Sequence, residues 1–174
     1  MLRIANKLED ITEAPKISTP KEDNFLNNNN TFEFTMKTDC KDYLIVKKKR
    51  SWSNAKENCE SRKMQLLSIE TEEEQNCIYN LKKKYTAAVN DSEAIFWISG
   101  RLVPKNRWIW SSTGANLSYT NWSKGMPDRW LNLNEECIYF PLNNRTTKMY
   151  SITEMQWNDA VCAQIFYYLC ESPD

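Results

Sequence analysis

Six cysteines carry the first chemical information in this chain of 174 residues. Cys40, Cys59, Cys77, Cys137, Cys162 and Cys170 are even in number, scattered, and nowhere in CxxC spacing. That pattern reads as disulfide bridges of an oxidising compartment rather than as a metal centre. No histidine accompanies them. Ser-His-Asp and Cys-His catalysis, imidazole zinc sites and histidine pH switches are therefore excluded. The glycines, Gly100, Gly114 and Gly125, cannot write GxGxxG or GxxxxGK[ST], so a glycine-rich phosphate loop is excluded as well. Carboxylates and aromatics remain. Pairs of Asp and Glu could in principle mimic a glycosidase dyad, but nothing in the local pattern buries one so as to raise its pKa. Asp128, Glu135 and Glu136 read equally well as a solvated acidic loop. Lys plus Arg equals Asp plus Glu at 23 each, so global charge favours neither nucleic acid nor membrane.

The elements that must position these residues follow from periodicity. The first 37 residues, with Pro15, Pro20 and the run Asn27 to Asn30, show little of it and predict a flexible arm. Within that arm TFEFTMK around Phe32 and Phe34 alternates and could form an edge strand. DYLIVKKK (Asp42 to Lys49) predicts a strand. A helix follows, capped by Ser51 or Ser53, with Trp52, Ala55 and Cys59 on one face. MQLLSI (Met64 to Ile69) predicts a buried strand. Thr71 with Glu74 is a capping box, and Glu72 and Glu73 add charge that suits a helix N-terminus. Ile78, Leu81 and Tyr85 form the stripe of that second helix, and Lys82 to Lys84 its solvated end. Strands are expected at IFWISG (Ile95 to Gly100), RWIW (Arg107 to Trp110), CIYFP (Cys137 to Pro141), MQWND (Met155 to Asp159) and FYYLCE (Phe166 to Glu171). Residues 111–135 between them form a long loop, and a loop of that length in a compact domain is usually functional. Helices early and strands late predict an α+β domain over 38–174.

No run reaches the roughly 18 apolar residues of a membrane span. Met1 to Asp23 is polar and holds no apolar signal core. Either a leader has been removed or the protein is not exported by that route. The cysteines argue for export, and sequons at Asn29, Asn90, Asn116, Asn121 and Asn144 add weaker support.

Several strings, in order, resemble one family. They are SWSNAKENC (Ser51 to Cys59), LLSIETEEE (Leu66 to Glu74), WISG (Trp97 to Gly100), WSSTG (Trp110 to Gly114), LSYTNW (Leu117 to Trp122), GMPD (Gly125 to Asp128), EEC (Glu135 to Cys137), WNDAVC (Trp157 to Cys162) and YYLCE (Tyr167 to Glu171). Together they resemble the C-type lectin-like domain, in particular small secreted invertebrate lectins. The resemblance implies two helices packed on small antiparallel sheets with a long loop region. It also implies bridges Cys59–Cys170 and Cys137–Cys162. Cys40 and Cys77 are left over, because an extra bridge in the family joins two cysteines before the first helix and only Cys40 lies there. They form an internal bridge, link to another chain, or remain as thiols.

In this family calcium bonds vicinal sugar hydroxyls directly, which needs hard oxygen ligands. Carried over residue by residue, the resemblance implies the metal ligands Asp128, Glu135, Asn158 and Asp159, with the Asp159 carbonyl as a further donor. Met126 stands where the family has a first carboxylate or amide, and its thioether does not suit calcium. Pro127 is a cis peptide in the family. The carbohydrate-binding set implied is Met126, Asp128, Glu135, Asn158, Asp159 and, as a stacking wall, Trp130. Trp122 and Tyr119 are further stacking candidates, although Trp122 also resembles a family core residue, and Trp157 is expected in the core. The family's auxiliary calcium site maps near Leu102, Asn106 and Arg129, which are unsuitable ligands, so that site is expected to be absent. Two functions stand against each other. One is a secreted lectin binding glycans on microbes or cells through calcium. The other is a calcium-independent module binding a protein partner. An enzyme is not expected.

Overall fold

The structure, a computed structural model, describes residues 25–28, 31–38, 40–82, 91, 94–130, 133–146 and 151–173. Among them, strands β1 (Phe25–Asn28), β2 (Thr31–Lys37) and β3 (Asp42–Arg50) precede helix α1 (Trp52–Glu60). Strand β4 (Gln65–Leu66) and helix α2 (Glu72–Asn80) follow. Strands β5 (Ile95–Val103), β6 (Arg107–Trp110), β7 (Glu135–Pro141), β8 (Arg145–Thr146), β9 (Ser151–Ile152), β10 (Asn158–Val161) and β11 (Phe166–Glu171) complete the order. One sheet runs β1-β2-β3-β11-β5-β7-β10, with β4 on β11 and β6 on β5, and β8 pairs with β9 separately. β11 and β5 run parallel, whereas β3, β4 and β7 each join a neighbour antiparallel.

The sheet is apolar on both faces, and the strands' period of two divides the core accordingly. Tyr43, Ile45, Phe96, Ile98, Ile138, Phe140, Tyr167 and Leu169 go to one cluster, which Ile78 and Leu81 at α2 and Trp110 and Trp157 share. Leu44, Val46, Trp97, Cys137, Tyr139, Tyr168 and Cys170 go to the other, covered by Trp52, Ala55 and Cys59 of α1. Gly100 lies where the faces crowd: a Cβ there would stand 2.3 Å from Ile138 Cδ1.

Both helices begin close to where the sequence places them, for different reasons. Ser51 occupies the N-cap of α1 but its side chain makes no capping hydrogen bond. The start of α1 is fixed instead by Trp52, whose N–H donates to the Cys162 carbonyl at 3.0 Å and whose ring Nε1 donates to the Ile98 carbonyl at 2.8 Å. At α2 the Thr71 hydroxyl accepts from Glu74 N–H at 3.1 Å, as a capping residue should. Glu74 reaches back one residue further than the box motif requires, to Glu70 N–H at 2.6 Å.

The bridges Cys59–Cys170 and Cys137–Cys162 are formed, with Cα atoms 5.5 and 5.2 Å apart. The question left open for Cys40 and Cys77 resolves as an internal bridge across 37 residues. Of the expected arm, residues 25–28 and 31–37 are strands of this sheet, and β2 pairs with β3 from Glu33–Val46 to Lys37–Asp42. Residues 1–24 lie outside the described residues. Three sequence expectations need correction. MQLLSI supplies a strand only at Gln65–Leu66. The strand expected at Met155 begins at Asn158, because Trp157 bridges to Trp122 of the long loop instead. Lys82 is not a solvated end; its ammonium pairs with Glu154. Tyr85 and Lys83–Lys84 lie outside the described residues. None of the described helices is long and apolar enough to cross a membrane.

Candidate functional site

The long loop is not loose. Trp157 is fully buried and gathers it, with Trp110, Tyr119 and Trp122 packed edge-on at 5.3, 5.8 and 5.9 Å between ring centres. Trp157 N–H donates to the Asn121 carbonyl at 2.7 Å, and Ser123 N–H donates to the Trp157 carbonyl at 2.9 Å. The ring nitrogen of Trp157 donates to Gln75 Oε1 of α2 at 3.0 Å. Sequence reasoning missed Gln75: a polar residue on a helix gives no local sign that its partner lies 82 residues away. Trp122 packs against the core around Trp157, as its resemblance to a family core residue implies, and Tyr119, expected as a stacking candidate, packs there too.

Held in this way, the loop brings Asp128 to the strand ends. The Met126–Pro127 peptide is cis, and Met126 N–H closes a turn on the Ser123 carbonyl at 3.0 Å. β7 carries Glu135 and β10 carries Asn158 and Asp159, with Asp159 opposite Ile138 and Asn158 opposite Tyr139. A register shift between Ala160 and Val161 lies beside them. The carboxylates of Asp128, Glu135 and Asp159 present oxygens within 4.8 Å of one another. They line a cleft with room for about 70 Å³ of water-sized occupants, together with Met126, Trp130, Tyr139 and Asn158. Trp130 is half-buried there. All the residues that the sequence proposed for the site therefore meet at one place.

The backbone pre-arranges the carboxylates. Asp159 accepts from the N–H groups of Asp128 and Arg129 at 3.2 and 3.0 Å. Glu135 accepts from Trp130 N–H at 2.7 Å. Asn158 donates to the Tyr139 hydroxyl at 2.8 Å, and its Oδ1 accepts Asp159 N–H at 2.9 Å. Those two contacts fix the orientation of the amide. Burial, then repulsion from Asp159 and Asp128, pushes Glu135 above its ordinary value, against the Trp130 N–H. Asp159 is pushed up first by burial, and its backbone donors oppose that. Neither carboxylate has a lysine or arginine ion pair among the described residues. Like charges gathered around the buried Asp159, with Glu135 half-buried and Asp128 exposed, are unfavourable as they stand. An all-oxygen donor set of this kind matches what a hard divalent cation requires.

Residues 48–172 match the family described as the Lectin C-type domain. The chain belongs to the C-type lectin domain family. It is 28% identical over 134 residues to "Salivary C-type lectin 1" of Aedes albopictus, covering 76% of this chain and 84% of that one. It is 26% identical to "C-type lectin 16" of Aedes aegypti over 122 residues, 70% of this chain and 75% of the relative. Among solved structures, the human scavenger receptor C-type lectin carbohydrate-recognition domain superposes with a TM-score of 0.63 at 28% identity, covering 80% of this chain and 96% of that one. The C-type lectin CEL-I of Cucumaria echinata gives 0.63 at 23% identity over 79% of this chain and 93% of that one, which shows the fold. Lectin domains are binding domains, so the carboxylate cleft is read as a binding site rather than as a dyad for turnover.

Proposed function

We propose that this protein is a secreted lectin that binds glycans on microbial or cell surfaces through calcium held by Asp128, Glu135, Asn158 and Asp159. The observation that carries this reading is the convergence of Asp128, Glu135 and Asp159 within 4.8 Å, from a loop and two strands, with no lysine or arginine ion pair to any of them among the described residues. Bound there, calcium would supply coordination positions for a pair of vicinal sugar hydroxyls. The chain's own residues divide the remaining work. Asp128, Glu135 and Asn158 offer oxygen and amide partners to the same hydroxyls. Tyr139 holds the Asn158 amide in place. Trp130, half-buried on the cleft wall, offers a ring for the apolar face of a sugar. Met126 brings a thioether where a further oxygen would help, which loosens both ion and sugar. Secretion is supported by the three disulfides and by the salivary relative.

Retention on mannose and galactose columns tests this reading. The parent should be retained weakly with millimolar calcium and released by chelator. Met126→Glu should be retained more strongly than Met126→Gln, and both more than the parent. Met126 also favours a second reading, a calcium-independent module for a protein partner. On that reading no column retains any of the three proteins, and chelator changes nothing.

A further inference from the structure

Beside the carboxylate cleft lies a larger one, of about 370 Å³, whose charged groups are Arg101, Lys105, Arg129 and Glu136. Three cations face one carboxylate there, in a chain whose overall charge is balanced at 23 against 23. The excess is therefore local. Each group is set differently. The Arg101 guanidinium lies 5.3 Å over the Trp52 ring and 3.7 Å from Glu136 Oε2. Arg129 donates to Asn106 Oδ1 at 3.1 Å. Lys105, at the turn between β5 and β6, has no hydrogen bond or ion pair among the described residues. A guanidinium has five donors, so both arginines keep several for a ligand.

The two clefts are built as one unit. Glu135 and Glu136 are successive residues of β7, so their side chains leave on opposite sides. One lines the carboxylate cleft and the other the cationic cleft. Arg129 joins them from the loop: its N–H donates to Asp159 at 3.0 Å, while its side chain lines the cationic cleft. Its backbone is left-handed, at φ 46°. That is uncommon for a side chain larger than Asn or Asp. Here it lets one residue serve both clefts.

We propose that the cationic cleft takes an acidic oxyanion substituent, a sulfate ester or a carboxylate, on the glycan whose neutral hydroxyls occupy the carboxylate cleft. This rests on the lectin reading above and specifies its substrate class as an acidic glycan. Two guanidinium forks match the planar or tetrahedral oxygens of such groups, and Lys105 adds a point charge at the rim. A metal ion does not suit this cleft, because three of its four charged groups are cations.

Binding of sulfated dextran, polygalacturonate and neutral dextran to the full chain, with calcium and with chelator, tests the proposal. The variants are Lys105→Gln/Arg129→Gln, Glu136→Gln and, as a control on a separate basic strand, Lys47→Gln/Lys48→Gln. The parent should bind one or both acidic polymers about tenfold or more tightly than neutral dextran, as a few charge-assisted hydrogen bonds require. Sulfated dextran alone would identify the sulfate ester, and polygalacturonate as well would admit the carboxylate. Lys105→Gln/Arg129→Gln should remove most of that preference, Glu136→Gln should increase it, and the strand control should leave it unchanged. Chelator should abolish any neutral-sugar binding yet leave part of the preference for acidic polymers. A preference retained in Lys105→Gln/Arg129→Gln, or lost only in the strand control, overturns the proposal, as does equal binding of acidic and neutral polymers. If calcium has no effect on any polymer while the acidic preference follows Lys105 and Arg129, the calcium reading fails and the cationic cleft stands.

Discussion

Glu171, at the end of β11, and Asp159, in β10, are both buried carboxylates, and their surroundings differ in one respect that matters. Glu171 is sealed from solvent among donors and a cation. Its Oε1 accepts Ser68 N–H at 2.9 Å and the Gln65 amide at 3.0 Å, while Lys41 stands 3.6 Å from Oε2 and 3.2 Å from Glu74. The Cys40–Cys77 bridge ties the neighbour of Lys41 to α2, which carries Glu74. Asp159 has backbone donors too, but its charged neighbours are Asp128 and Glu135, and it borders an open cleft. The first carboxylate faces a cation of the protein itself, although its Oε2 accepts no hydrogen bond among the described residues; at the second, the proposed calcium would supply the cation. Only the first should be required for folding; only the second should respond to calcium.

The largest effect is expected at the enclosed site. Glu171→Ala leaves the Ser68 N–H and the Gln65 amide without their enclosed acceptor, while Lys41 keeps Glu74; the loss should cost about 1–3 kcal/mol. For a domain of this size that lowers the melting temperature by roughly 3–10 °C. An unchanged melting curve would show that the enclosure contributes nothing.

The enclosure of Glu171 should also show in the pH response, which the Gln variant isolates from the like-signed shifts of Glu135 and Asp159. Burial, against the Ser68 N–H and Lys41, raises Glu171 from 4.5 to about 7. An acid that binds its proton more tightly when folded favours the folded state at low pH. The contribution from Glu171 is thus fully present below about 4.5 and is lost as pH rises through about 7. Denaturant melts from pH 4.5 to 8, without calcium, should show stability falling over that window. Glu171→Gln, which keeps the shape and removes the titration, should flatten the fall.

A smaller effect, of opposite sign, is expected at the open site. Glu135→Gln removes one of three mutually repelling carboxylates. Without calcium it should leave stability unchanged or raise it by up to about 1 kcal/mol. It should also remove most of the rise in melting temperature that calcium gives the parent. Destabilisation comparable to that of Glu171→Ala would erase the distinction between the sites.

Much of this difference was legible in the sequence, but unevenly. Thr71 and Glu74 announced α2 because capping chemistry acts over three residues. Trp52, Ala55 and Cys59 announced the buried face of α1 because helical spacing is local. The cleft residues were found through the ordered strings around Pro127, Glu135 and Trp157, since no local pattern states that Asp128 and Asp159 meet across 31 residues. Glu171 was read only as the end of a strand. Its partner Ser68 is 103 residues away, and a lone Glu after Cys170 carries no sign of enclosure. Lys82 failed for the same reason: cations suit a helix end, and its pairing with Glu154, 72 residues on, is visible only in the fold. Local rules located the elements; long-range pairing decided which charged groups are enclosed and which border the open cleft.

Calorimetric titration of calcium into the full chain, alongside Glu135→Ala/Asp159→Ala, tests the central claim most directly. The parent should give a saturable heat with a dissociation constant of roughly 10⁻⁴–10⁻³ M, the loose end of the range for extracellular sites, in keeping with the missing oxygen at Met126. The double variant should remain folded and give none. Absence of heat in the parent, or the same heat in the folded double variant, would contradict the assignment of calcium to this cleft.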